Sequence, residues 1–149
     1  MSSFEEAVIQ RINQLEREVE RLQRWERPKL GQWTSFTPTY TGWTSGTVTG
    51  TFKYSVIGNI VFLLIDMTAG TSNSTAARID LPVNADLNAS YGGALGMAMD
   101  NGVVLSVATK WYIGGTVQEI AFASNMGSGL WTASGEKRMR CLAIYAKGT

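Results

Sequence analysis

Apolar residues recur at Val8, Ile12, Leu15, Val19 and Leu22, at spacings of four, three, four and three. This is a heptad repeat, the pattern of a helix with one narrow apolar seam. Ile12 and Val19 take the a positions, and Val8, Leu15 and Leu22 take the d positions. Residues 4–27 hold no Gly and no Pro and are rich in Glu, Arg, Gln and Leu, so intrinsic propensity agrees with the pattern. Ser2 or Ser3 can cap the start, Glu5 and Glu6 sit near its positive end, and Pro28 stops it. The pattern predicts a coiled-coil helix over residues 1–27, in preference to a helix lying on its own domain.

β-Branched residues at a with Leu at d favour two strands. The run Arg11-Ile12-Asn13-Gln14-Leu15-Glu16 points instead to three. It matches a short trimerisation motif (Arg, apolar, any, any, apolar, Glu) in which the Arg at g reaches the Glu at e of the next helix. The expectation is a homotrimer, with a dimer as the alternative. A coil of about three heptads is marginal alone, so the C-terminal domains are expected to touch as well.

After residue 27 the period changes. Residues 28–46 read as linker and lead-in, punctuated by Gly31, Pro38, Gly42 and Gly46. Residues 47–149 read as a β domain. Residues 47–55 alternate, with Val48, Phe52 and Tyr54 on one face and Thr47, Thr49, Thr51 and Lys53 on the other. Ile57-Gly58-Asn59 predicts a hairpin turn. Residues 60–67 are apolar on both faces, which predicts a central strand covered twice. A short strand at residues 78–81 is closed by Pro82, and residues 91–99 pass through Asp100-Asn101-Gly102 into a strand over 103–111. Gly114-Gly115 turns into residues 116–123, a Gly- and Ser-rich loop fills 124–135, and the last strand covers 138–147. About seven or eight short strands at this spacing predict a mainly β fold, an antiparallel sandwich of jelly-roll-like type.

Composition narrows the function. The 149 residues carry a net charge of +1, which gives no electrostatic footprint for nucleic acid. The chain has no histidine, the commonest general base and metal ligand. Its one cysteine, Cys141, precludes an internal disulfide, and the acidic start is unlike a signal peptide, so synthesis in the cytoplasm is expected. The longest apolar run, residues 60–65, is too short to insert in a membrane.

One stretch carries a resemblance. Gly31-Gln32-Trp33-Thr34-Ser35-Phe36-Thr37-Pro38-Thr39 is followed by Gly42-Trp43-Thr44-Ser45-Gly46-Thr47-Val48-Thr49-Gly50, then by the strand through Phe52 and Tyr54, the Ile57-Gly58-Asn59 turn and a short strand ending Ile79-Asp80-Leu81-Pro82. Over most of residues 31–147 this layout resembles small virion proteins of tailed bacteriophages, minor tail proteins and fibre tips with a Trp-Thr-x-aromatic-Thr-Pro-Thr lead-in. The resemblance implies a non-enzymatic trimeric appendage on a virion, made in the host cytoplasm, that meets other virion proteins and a host-surface glycan or protein. A capsid decoration protein is the alternative, and a polysaccharide-degrading enzyme a remote third.

Catalytic chemistry is thinly represented. Cys141 lies in an apolar strand and reads as a small hydrophobe. Asp66, Asp80, Asp86, Asp100, Glu119 and Glu136 are scattered singly, whereas glycoside cleavage needs two carboxylates across a groove. Asp86-Leu87-Asn88 is only a fragment of a calcium loop. No cofactor or metal is expected. Tyr91, Trp111, Tyr112 and Trp131 lie near Gly-rich turns, where an aromatic face can stack on a sugar ring or a protein. The loops around Trp111-Tyr112 and residues 128–131 are therefore the candidate ligand site.

Overall fold

The computed structural model describes residues 3–24, 32–86, 88–113 and 118–148, with helix side chains over residues 4–18. The chain divides into two compact units, Met1–Gly31 and Gln32–Thr149.

The first unit contains α1, Ser3–Arg24, with Glu5 and Glu6 in its first turn. The expected stop at Pro28, Trp25, and the side chains of Val19 and Leu22 lie outside the described residues. Val8, Ile12 and Leu15 are each 41–50% exposed, and so is Ile9, which the heptad places at e beside the seam. Arg11 donates to Gln14 Oε1 at 3.0 Å within the helix.

The second unit is mainly β, with eleven strands among the described residues. One antiparallel sheet contains β1 (Thr34–Ser35), β3 (Thr49–Ile57), β4 (Ile60–Ala69), β7 (Met97–Asp100), β8 (Val103–Val104) and β11 (Arg138–Ala146), in the order β1-β3-β4-β11-β7-β8. The other contains β2 (Tyr40–Thr41), β5 (Arg78–Asp80), β6 (Tyr91–Ala94), β9 (Lys110–Ile113) and β10 (Glu119–Ala123), in the order β2-β5-β10-β9-β6. Both sheets feed one buried cluster, a sandwich-like arrangement. Val61, Leu63, Ile65 and Met67 of β4 and Met139, Cys141, Ala143 and Tyr145 of β11 enter it from one side. Ile79 of β5, Trp111 and Ile113 of β9, and Ile120 and Phe122 of β10 enter from the other.

The turns follow local chemistry. Gly58 at φ 60° and Asn59 join β3 to β4, with Ile57 opposite Ile60. A glycine with positive φ at the first of two loop positions is the type II′ arrangement. Asn101 at φ 50° and Gly102 at φ 78° join β7 to β8, with both loop residues at positive φ as a type I′ turn requires.

Four expectations change. The lead-in over residues 28–46 holds two strands, β1 and β2, one in each sheet. The strand expected over 91–99 is two strands, because the chain leaves the five-stranded sheet after Ala94 and joins the six-stranded one at Met97. At the crossing Leu95 N–H donates to Thr109 O at 3.1 Å and Gly96 N–H to Arg140 O at 2.8 Å, so the backbone stays bonded as it changes sheet. The run 103–111 divides likewise into β8 and β9. Finally, β4 is central, but among the described residues of this unit only its inner face is fully buried. Ile60 remains exposed and Phe62 and Leu64 half-buried. The Gly114-Gly115 turn lies outside the described residues.

Candidate functional site: a hollow on the five-stranded sheet

Ile120 and Phe122 point into the core, so alternation turns Ala121 and Ala123 of β10 outward. Register then sets Ala121 between Arg78 on β5 and Tyr112 on β9. Two strand spacings of about 4.8 Å place these large side chains on the order of 10 Å apart, over a floor of alanine. The missing side-chain volume is the hollow, about 270 Å³, and residues 128–130 close one wall.

That wall is organised by its own hydrogen bonds. Asn125 Oδ1 accepts from Gly127 N–H at 2.8 Å and from Gly129 N–H at 3.0 Å. Ser124 Oγ donates to Leu130 O at 2.8 Å, and Ser124 N–H donates to Gly129 O at 3.1 Å. A Cβ at Gly129 would press on the Asn125 amide and the Ser124 hydroxyl, so a side chain there would displace the groups that hold the loop. The result is a fixed loop that holds Leu130 out into solvent, 72% exposed.

The rim is polar on two sides. Arg78 pairs with Glu119 at 3.3 Å. Lys110 Nζ lies 5.7 Å from the centroid of the Tyr112 ring, and Tyr112 is 43% exposed. Thr75 and Ser128 add hydroxyls. An exposed phenol, a guanidinium held by a carboxylate and a small-residue floor can hold a ring-shaped polar ligand by stacking and hydrogen bonds. Among the described residues that line the hollow there is no carboxylate, cysteine or histidine.

The four aromatic candidates therefore separate. Tyr112 lines the hollow, as do residues 128–130 of the second candidate loop. Trp111 and Trp131 are buried in the core, where Trp131 Nε1 donates to Phe122 O at 2.9 Å. Tyr91 packs against Tyr145 with ring centroids 6.2 Å apart. In the lead-in, Trp43 is buried and its Nε1 donates to Lys137 O at 3.2 Å, whereas Trp33 is exposed.

The dispersed acids are held singly in most cases. Asp66 pairs with Arg140 at 2.7 Å, Glu136 with Arg138, and Asp100 accepts from Thr132 N–H and Oγ1 at 3.0 Å. Asp86 accepts from Asn88 at 2.9 Å. Asp80 and Glu119 are register partners and stand side by side, but neither lines the hollow. No group of three or more metal-ligating acids, cysteines or histidines occurs among the described residues. Cys141 is buried, and burial pushes its thiol up to about 12, so the thiolate is suppressed.

Lys137 carries no signal of its role in the sequence. It lies in the charged run Glu136-Lys137-Arg138 yet is wholly buried. Its Nζ donates to Ser74 O at 2.9 Å, Ala76 O at 2.7 Å and Gly42 O at 3.2 Å. The Trp43 and Trp131 rings lie 5.1 Å and 5.8 Å from it. All three N–H donors are used, so Lys137 pins the 42–43 and 74–76 segments to the start of β11.

No protein-family model, no curated protein and no solved structure matches this chain.

Proposed function

We propose that this chain is a non-enzymatic structural protein of a bacteriophage particle, a homotrimeric tail appendage whose β heads meet the host surface. The observation that carries the reading is the open apolar stripe of α1. Val8, Ile12 and Leu15 follow a heptad and are all exposed in the single chain. A helix of this length is marginal in water without a partner for that stripe. Arg11 and Glu16 flank it at g and e, where they can pair between neighbouring helices. Repetition would then turn a shallow, weak site such as the Tyr112 hollow into a useful one, because linked copies bind with high effective concentration. No helix among the described residues is long and apolar enough to cross a membrane.

Light scattering on the purified full chain tests assembly. Three chain masses are expected, and one chain mass for Ile12→Asp, which would bury like charges on one axis. A wild-type chain that is monomeric throughout the micromolar range overturns the reading. Gold labelling of intact particles tests location. Label at the tail tip supports host contact, whereas label over the head makes the chain a decoration protein on the same oligomeric plan.

A further inference from the structure

We propose that the hollow on the five-stranded sheet binds one acidic sugar ring, a pyranose that carries a carboxylate. The proposal rests on the reading of that hollow as the part of the β head that meets the host surface, and it names the class of ligand.

Alternation and register set out the outer face of this sheet in rows. Trp111 and Ile113 point into the core, so Lys110 and Tyr112 of β9 point out. Tyr112 stands between Gly92 of β6 and Ala121 of β10. Both neighbours are small, so the phenol ring rises from the sheet and is 43% exposed. Arg78 of β5 stands on the far side of Ala121. The adjoining row sets Lys110 opposite Ala123, and the row on the other side sets Asp80 opposite Glu119. The cations thus border the hollow, and the two acids fall one row outside it.

Charge selects an anion. Among the described lining residues Arg78 alone carries a charge. Its Nη1 donates to Glu119 Oε2 at 3.3 Å, its one hydrogen bond among the described residues. A guanidinium has five N–H donors in a planar fork that suits a carboxylate. The Arg78 side chain is 47% exposed, so the remaining donors are open to a ligand. Lys110 adds a second positive charge 5.7 Å from the centroid of the Tyr112 ring.

Shape selects a single ring. The volume of about 270 Å³ falls just under the roughly 300–1,000 Å³ of sites that take a drug-sized ligand. The Tyr112 face offers an apolar surface to the C–H face of a pyranose. Thr75 and Ser128 place hydroxyls on the wall to meet those of the sugar. The hydrogen bonds of Ser124 and Asn125 hold the wall in place before any ligand arrives, which lowers the cost of binding. A ring over Tyr112 then carries its carboxylate across Ala121 to Arg78.

Nuclear magnetic resonance titrations of the full chain with methyl glucuronide, methyl glucoside and acetate test the site. The glucuronide is expected to shift the Gly129 amide and Tyr112 ring signals saturably, with a Kd on the order of 1 mM for so small a ligand. It is expected to bind roughly tenfold more tightly than the glucoside, the worth of one charge-assisted hydrogen bond at an exposed site. Arg78→Gln should erase that preference, and Ala121→Leu, which fills the floor, should abolish binding of both sugars, each with an unchanged circular dichroism spectrum. Equal binding of glucuronide and glucoside to wild type overturns the acidic class. Acetate that gives the same shifts at the same concentrations overturns the ring. A wild type with no saturable shift overturns the site outright and needs no variant to fold. Location separates this proposal from the reading beneath it. No binding by a chain found at the tail tip overturns the ligand alone, whereas binding by a chain found over the head keeps the site and overturns the tail reading.

Discussion

At Lys137 a full positive charge sits where the burial pattern calls for an apolar residue. Burial favours its neutral form and brings its pKa down to about 8, with Asp100 acting in the opposite sense. The unfolded lysine holds its proton to about 10.5. Between pH 8 and 10.5 the unfolded chain thus binds more protons, and Lys137 makes stability rise with pH. Cys141 has the opposite sign. Its thiol is raised from 9.0 to about 12, so above pH 9 the unfolded chain releases a proton that the folded chain keeps. Tyr40 and Tyr145, both raised from 10.0 by burial, add to that loss. The thermal midpoint is expected to rise from pH 8 to 9 and then fall, and Cys141→Ala should extend the rise. A fall that begins at pH 8 would show that the three carbonyls and two indoles keep the proton on Lys137. Replacement by methionine takes the Lys137 donor from the Ala76 carbonyl, and leaves Gly42 O with the Asn73 N–H and Ser74 O with the Ser72 hydroxyl; it is expected to lower stability by about 1–3 kcal/mol in urea titrations. None of this was visible in the sequence, because a lysine between Glu136 and Arg138 looks like surface until strands distant in the chain close over it.

Elements were legible where their signal is local. The heptad spacing located α1, and Gly58-Asn59 and Asn101-Gly102 located two hairpins, since a turn depends on its own φ angles. Membership of a sheet depends on partners far along the chain. Residues 91–99 read as one strand because nothing in their alternation marks the crossing at Leu95-Gly96. The same limit applies to the site. Alternation puts Trp111 and Tyr112 on opposite faces, but only the position of β10 decides that the tryptophan is inside. The loop at residues 124–130 offers a direct check on the hollow. Asn125→Ala removes the acceptor of two backbone N–H groups. Amide exchange at Gly127 and Gly129 should quicken by roughly tenfold, while global stability changes by about 1 kcal/mol or less. Unchanged exchange would mean that the Ser124 bonds alone hold the wall.

On the scale of the molecule, what the chain leaves at its sheet margins matters as much as what it packs inside. The six-stranded sheet ends in β1 and β8, and the five-stranded one in β2 and β6. Three of those four strands are two residues long, and β6 carries Gly92 and Gly93 in its middle. The end strands are therefore short caps that cover only part of their neighbours: β1 pairs with Lys53 and Tyr54 alone of the nine-residue β3, which leaves most of that margin without a strand partner among the described residues. Strand-by-strand templating, the route from a crowded β protein to a cross-β fibril, would find its rail along β3 and not at the two-residue strands themselves.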